Sequence, residues 1–189
     1  MKQIRISYNA PVSLTFTILA LAATIAGIIT DGYTTSLLFS VYRGSLRDPL
    51  FYLRLFTHVL GHSGISHFTG NFTLFLLLAP MVESKFGSKK LLWMILFTAG
   101  ITGILNILLF PGTALCGASG LVFMLIILAA YSLVYADGIP LTFLLVAIVY
   151  IGNEVANGIL KSDNISQFAH ILGGLCGGGF GYFMSRKRR

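Results

Sequence analysis

The sequence predicts an all-α membrane protein, a bundle of six transmembrane helices with a long interfacial loop between the first two helices. Of the 189 residues, 56% are hydrophobic and 10% are charged, whereas soluble domains average about 25% charged residues. Apolar stretches of about 20 residues, the length that crosses a bilayer, recur along the chain. With six such spans, the chain has no room for a large soluble domain.

The first apolar stretch covers residues 11–30 and follows a short N-terminal segment, residues 1–10. Its basic start resembles a signal peptide, but the stretch is long for the hydrophobic region of one. A retained first span is therefore predicted. The connection that follows, residues 31–63, is rich in aromatic side chains and arginines, which predicts an amphipathic segment in the membrane interface.

Five further spans are predicted, bounded by charged residues or by glycine and proline. They are residues 66–82, 90–110, 115–135, 141–156 and 165–184. A proline followed by a glycine at 111–112 ends the third span, and the turn at 137–140 ends the fourth. The six helices form one predicted domain over residues 11–185, and residues 186–189 form a basic tail.

The distribution of basic residues predicts which side of the membrane the termini occupy. With six spans both termini lie on one side, and nine of the 13 basic residues fall there. Because basic residues concentrate on the cytoplasmic side, cytoplasmic termini are predicted, in the inner membrane of a prokaryotic cell. The nine are Lys2, Arg5, Lys85, Lys89, Lys90, Arg186, Lys187, Arg188 and Arg189, and the other four are Arg43, Arg47, Arg54 and Lys161. Since these charges lie at helix ends and in connections, the net charge of +7 does not indicate nucleic-acid binding.

Two polar side chains stand out because they lie within apolar runs: Ser119 in the fourth span and His170 in the sixth. An unpaired polar group in lipid costs on the order of 2–7 kcal/mol, so each is expected to have a polar partner. The second, fourth and sixth spans all run from outside to inside. At 1.5 Å per residue, a residue five positions into a helix lies roughly 8 Å below its start. Ser119, His170 and two polar residues of the second span, His67 and Asn71, therefore share one shallow depth.

These four residues suit acyl-transfer chemistry. Ser119 is the candidate nucleophile, and His170 is the general base that later protonates the leaving amine. His67 and Asn71 are four residues apart on one helix face, from which both can donate hydrogen bonds to an oxyanion. No carboxylate lies near His170 in the sequence, which favours a dyad, although Glu154 at comparable depth is an alternative partner for the base. The chemistry requires no cofactor.

The same residues lie in motifs that resemble those of the rhomboid intramembrane serine proteases. The sequence GASG at residues 117–120 resembles that family's GxSG motif, and the pattern HxxxxHxxxN at 62–71 resembles its second-helix motif. The sequence AHILGG at 169–174 resembles its sixth-helix motif. The similarity extends over about residues 51–182, with Leu-Arg at 53–54 where the family usually has Trp-Arg.

The resemblance implies a six-helix fold and cleavage of single-pass membrane proteins near the outer face of the membrane. By matching position, Ser119 and His170 are implied to be catalytic, and His67 and Asn71 are implied to stabilise the oxyanion. The residues expected to be structural near the site are His62, Gly117, Gly120 and Gly174. The expected partners are transmembrane substrates and the lipid bilayer.

Two alternative functions are compatible with parts of the sequence. In a metal or proton transporter, His58, His62 and His67 would form a cluster, since imidazoles are common zinc ligands. However, the spacing of five between His62 and His67 suits one helix face poorly, and the chain has no HExxH motif and no transporter-like repeat, so no metal site is predicted. The second alternative is an inactive relative that only binds membrane helices, against which the presence of both Ser119 and His170 argues.

Overall fold

Helices make up most of the described structure. The computed structural model describes residues 7–131, 141, 144–145, 148–149 and 164–186. Its helices are α1 (Pro11–Ile29), α2 (Tyr33–Leu38), α3 (Pro49–Thr57), a 3₁₀ helix (His58–Leu60), α4 (Ile65–Phe86), α5 (Ser88–Leu109), α6 (Ser119–Tyr131) and α7 (Asn164–Arg186). Within the described ranges, a bridge between Val41 and Leu115 is the one β-type pairing. The predicted all-helical class is confirmed.

Three of these helices, α1, α4 and α5, are long and apolar enough to cross a membrane. They coincide with the first three predicted spans, with ends that differ by at most four residues. Among the described residues α6 is a shorter apolar helix, and α7 has 23 residues and is rich in glycine. The predicted fifth span, residues 141–156, lies largely outside the described residues, so the number of six spans stays a prediction.

Glu83, near the C-terminal end of α4, binds the N-terminus of α1. Its carboxylate accepts hydrogen bonds from the backbone N–H groups of Val12 and Ser13, both at 2.9 Å, and from the Ser13 hydroxyl at 2.7 Å. The first N–H groups of a helix have no partner inside it, and negative charge near them is favourable. The carboxylate therefore caps α1 and joins its start to the end of α4.

The connection between α1 and α4 folds around Arg54 on α3. The Arg54 side chain, 3% exposed, forms an ion pair with Asp48 at 2.9 Å, and its guanidinium lies over the Tyr42 ring, 4.4 Å from the centroid. It also donates a hydrogen bond to the Leu37 carbonyl at 3.3 Å. A buried charge needs such partners, and these ones join α2, α3 and the segment between them. The interfacial position of this connection stays a prediction.

Helix α6 is largely buried, and α7 packs directly against it. Nine of the 13 residues of α6 are buried. The contact depends on Gly173, Gly177 and Gly181, which are spaced four residues apart on one face of α7. A Cβ atom on Gly173 would collide with the backbone of Gly120, and one on Gly177 with the backbone of Met124. Glycine therefore allows the two helix backbones to touch, as small residues do in other membrane helix pairs.

Candidate active site

Ser119 is the first residue of α6, because the chain before it is held in a non-helical path. Val41 and Leu115 exchange two backbone hydrogen bonds of 2.9 Å, and the Gly117 N–H donates to the His58 carbonyl at 2.9 Å. Gly117 has a φ of +126°, a conformation that favours glycine. The predicted helix start at residue 115 is therefore wrong by four residues, since these backbone bonds replace helical ones. Ser119 consequently lies at the helix N-terminus, where partial positive charge accumulates.

His62 fixes the backbone immediately before Ser119. Its Nε2 atom lies 3.3 Å from the backbone N of Ala118, and its Nδ1 atom lies 3.1 Å from the Leu60 carbonyl oxygen. A carbonyl can only accept, so Nδ1 carries the proton and Nε2 accepts the Ala118 N–H. Burial lowers the pKa of His62 from 6.5 to about 4, and the neighbouring His67 adds to this effect. The His62 ring is therefore neutral near pH 7.

His67 and Asn71 lie against the turn at Gly117. A Cβ atom placed on Gly117 would be 3.0 Å from both Cε1 and Nε2 of His67, and 3.8 Å from Nδ2 of Asn71. Any larger residue would have to displace the imidazole. Glycine at this position therefore serves both the positive φ and the close approach of α4 to the segment that leads into Ser119.

The hydrogen-bonding groups of Asn71 and His67 on α4 differ in their partners. The Nδ2 atom of Asn71 is buried and has no hydrogen-bond partner in the described part of the chain, and such a group requires an explanation. The Nδ1 atom of His67 lies 3.2 Å from the Ser63 hydroxyl oxygen. The rings of His67 and His62 meet edge to face, with 4.9 Å between their centroids. The two histidines thus form one small cluster beside the turn.

His170 lies on α7 where this helix contacts the first turns of α6. Its ring stacks on Phe123, with centroids 4.4 Å apart and planes 5° from parallel. Phe123 follows Ser119 by four residues and so shares its helix face. A Cβ atom on Gly120 would lie 3.2 Å from the carbonyl oxygen of Ala169. The turn that carries His170 therefore touches the turn that carries Ser119.

The predicted site residues come from three helices, and α6 packs against both of the others, α4 and α7. Gly174 is buried on α7, directly after the glycine that touches α6. Glu154, the alternative partner for the base, lies outside the described residues.

His58 serves the structure rather than the cluster. Its Nδ1 atom lies 3.2 Å from the Arg54 carbonyl oxygen, and its Nε2 atom lies 3.3 Å from the Thr102 hydroxyl. Burial lowers the pKa of His58 from 6.5 to about 4. Among the residues that the structure describes, no group of three or more His, Cys, Asp or Glu side chains could hold a metal ion. The ring nitrogens of His58 and His62, which the transporter alternative would use as ligands, are engaged in hydrogen bonds.

Two contacts near the site escaped the sequence analysis. The stacking of Phe123 on His170 has a signal in the sequence. Phe123 follows Ser119 by four residues and so lies on the same helix face, which is the face expected to meet His170. The contact between Ser63 and His67 has the same spacing. Because Ser63 precedes α4, however, helical periodicity does not predict it.

A comparison with known families covers most of the chain. A family model described as Rhomboid domain matches residues 50–187. The chain belongs to the rhomboid family. The rhomboid match includes α4 and the segments that carry Ser119 and His170. A search of curated proteins found no match.

Rhomboid-family proteins are generally intramembrane serine proteases, and the family also includes inactive members. Membership therefore identifies this chain as an integral membrane protein of a protease family. The activity of this member depends on what its own site can do.

Proposed function

We propose that this rhomboid domain is an intramembrane serine endopeptidase that hydrolyses peptide bonds in or near the transmembrane segments of membrane proteins. The observation that carries the proposal is the contact between the α7 turn that holds His170 and the α6 turn that holds Ser119. This contact supports a nucleophile and a base supplied by two different helices. Both residue types match the chemistry of the family.

In the proposed reaction Ser119 and His170 act as a dyad. His170 takes the proton of the Ser119 hydroxyl as the oxygen attacks the scissile carbonyl carbon, and a tetrahedral oxyanion forms. The intermediate collapses, the C–N bond breaks, and His170 gives its proton to the leaving amine. Water then attacks the acyl ester with His170 as base, which releases the acid and restores Ser119. The dyad needs no cofactor.

Asn71 and His67 are the proposed donors to the oxyanion, together with the backbone N–H of Ser119. The Nδ2 of Asn71 is buried and has no hydrogen-bond partner among the described residues, which supports this role, because a donor that gains its partner only as charge develops stabilises the transition state more than the ground state. The approach of the His67 Nε2 atom to the Gly117 turn supports the second donor. Removal of one such donor typically costs about 10²–10³ in kcat.

Phe123 supports the orientation of the proposed base. An imidazole stacked face to face on another ring has fewer accessible rotamers, and a base held in one orientation loses less entropy when the substrate reacts. This contact offers a means of orienting His170 without a carboxylate. The assistance of Glu154 stays a prediction.

The proposed substrates are single-pass membrane proteins whose helices unwind easily near the outer face of the membrane. A peptide bond inside an intact helix is shielded, so cleavage requires a locally extended and hydrated segment. Glycine lowers helix stability by about 1 kcal/mol and proline by about 3 kcal/mol relative to alanine, so such residues near the scissile bond would favour cleavage. Cytoplasmic termini, in a prokaryotic inner membrane, would open the site toward the outer face.

The test is cleavage of a single-span reporter by the purified protein in proteoliposomes. Wild type is expected to cleave the reporter, and Ser119→Ala and His170→Ala are each expected to lose about 10³-fold or more in kcat. Ser66→Ala, which alters an exposed serine at the start of α4, is the matched control and should cleave like wild type. A fluorophosphonate probe should label Ser119 in a manner that requires His170. Undiminished cleavage by Ser119→Ala would exclude the proposed function.

A further inference from the structure

We propose that Ser63 is a positioning residue that sets the tautomer of His67, so that His62 and His67 are held in opposite tautomers. The inference rests on the proposed function, because it concerns how His67 serves as a donor to the oxyanion. A neutral imidazole carries one ring proton, and the partner of one ring nitrogen decides which nitrogen holds it. The partners of these two rings differ in kind.

The partner of His62 permits only one tautomer. Its Nδ1 atom lies 3.1 Å from the Leu60 carbonyl oxygen, which can accept a proton but cannot donate one. The Nε2 atom is then an acceptor, and the Ala118 N–H donates to it at 3.3 Å. A ring in this state has no proton on Nε2 to offer an oxyanion.

The partner of His67 permits the other tautomer. Its Nδ1 atom lies 3.2 Å from the Ser63 hydroxyl oxygen, and a hydroxyl can donate as well as accept. The other ring nitrogen, Nε2, approaches the Gly117 turn together with Cε1, each at 3.0 Å from where a Cβ would lie. When Ser63 donates to Nδ1, the His67 proton lies on Nε2 and faces the segment that leads into Ser119. His67 can then donate a hydrogen bond where His62 cannot.

The place of Ser63 in the chain fits this role. Serine near a helix start commonly caps the helix by accepting a hydrogen bond from a backbone N–H. Here the N-cap residue of α4 is Gly64, which makes no side-chain cap, and Ser63 lies one position before it. The Ser63 hydroxyl contacts the ring of His67 instead. Ser66, a second exposed serine at the start of the same helix, is a matched control.

Nitrogen-15 NMR of histidine-labelled protein in detergent micelles reads the tautomers directly and needs no activity. At neutral pH, wild type is expected to show His67 protonated on Nε2 and His62 protonated on Nδ1, assigned by the signals that His67→Gln and His62→Gln lose. Ser63→Ala should add the Nδ1-protonated form of His67, whereas Ser66→Ala should change neither ring. A wild-type His67 with its proton on Nδ1, or with protons on both nitrogens, would overturn the inference.

Kinetics with the single-span reporter separates positioning from a structural role. Ser63→Ala is expected to lower kcat by about 3- to 10-fold, the size expected for one neutral hydrogen bond, with KM unchanged. Ser63→Thr keeps the hydroxyl and should restore most of kcat, and Ser66→Ala should match wild type. Wild-type kcat in Ser63→Ala, or an equal loss in Ser63→Thr, would contradict the role. Failure of the proposed function has a different signature, namely a Ser119→Ala protein that still cleaves or a wild type that does not.

Discussion

The imidazole of His62 accepts a hydrogen bond from the backbone N–H of Ala118, with 3.3 Å between the nitrogen atoms. This bond joins the segment before α4 to the residue that directly precedes Ser119. Ala118 is fully buried, so loss of the acceptor would leave an unpaired donor there, at a cost of about 1–3 kcal/mol. The conformation of the backbone before Ser119 therefore depends on His62, a histidine that transfers no proton in the proposed reaction.

Substitution of His62 is expected to affect both stability and activity. His62→Ala should lower the Tm in detergent and reduce kcat by about 10-fold, because the unpaired donor costs about 1–3 kcal/mol and frees the turn before Ser119. His62→Gln, whose side-chain oxygen can accept a hydrogen bond, should retain more of both. Circular dichroism gives the Tm and the single-span reporter gives kcat. A His62→Ala protein with the Tm and kcat of wild type would contradict this role.

Acid is expected to destabilise the folded protein through His58 and His62. Burial lowers the pKa of each from 6.5 to about 4, so the unfolded chain binds these protons more readily than the folded protein. These two rings leave the free energy of unfolding unchanged above pH 6.5. The free energy of unfolding falls as the pH decreases from 6.5 to about 4, and below that window the loss is complete. At 1.36 kcal/mol per unit of pKa difference, each ring lowers the free energy of unfolding in acid by on the order of 3 kcal/mol.

The pH dependence is checked by measuring the Tm across this window in wild type and His62→Gln. Removal of one titrating ring should make the decline of Tm in acid shallower. The His62→Gln protein is the informative comparison because its pKa-shifted imidazole is gone while an acceptor for Ala118 is kept. An equally steep decline in both proteins would show that His62 does not contribute.

Gly117→Ala is expected to reduce kcat by about 100-fold. The new alanine would have to adopt a φ of +126°, and its Cβ atom would lie 3.0 Å from the His67 ring. A strained backbone of this kind costs about 1–3 kcal/mol, and displacement of an oxyanion donor costs about 10²–10³ in kcat. Gly112→Ala, in the same connection, is the control, because in the described structure its Cβ meets nothing within 4 Å. Equal kcat values for the two variants would contradict the argument.

The sequence predicts where apolar helices lie better than it predicts where each one begins. The spans α1, α4 and α5 lie within a few residues of their predicted positions, because each is a long apolar run with a clear boundary. The start of α6 differs because residues 115–118 are as apolar as those that follow. The bonds that keep them out of the helix come from Val41 and His58, which are distant in the sequence.

The candidate site shows the same division. The residue types of Ser119, His170 and His67 can be read from the sequence, whereas their shared depth stays a prediction, since Ser119 is the first residue of α6 and not several positions inside it. The state of a histidine ring cannot be read from the sequence, because it depends on which carbonyl or hydroxyl faces each nitrogen after folding. Helical periodicity does not predict that His62 contacts the Leu60 carbonyl and the Ala118 N–H.

Gly173 and Gly179 provide a matched pair of positions on α7. A Cβ on Gly173 would collide with the backbone of Gly120, next to Ser119, whereas a Cβ on Gly179 meets nothing within 4 Å in the described structure. Alanine is favoured over glycine inside a helix by about 1 kcal/mol. Gly179→Ala is therefore expected to maintain or raise the Tm, with kcat unchanged.

Gly173→Ala is expected to lower the Tm and to reduce kcat by about 100-fold. The added methyl group must push α7 away from α6, and His170 lies three residues earlier on the same helix. A displacement of about 1 Å in a reacting group can cost 10²-fold in rate. Both variants are measured by Tm and by kcat per folded molecule on the single-span reporter. If Gly173→Ala loses stability but keeps its kcat, the contact packs the helices without positioning His170, and Ser119 and His170 must be aligned by other contacts.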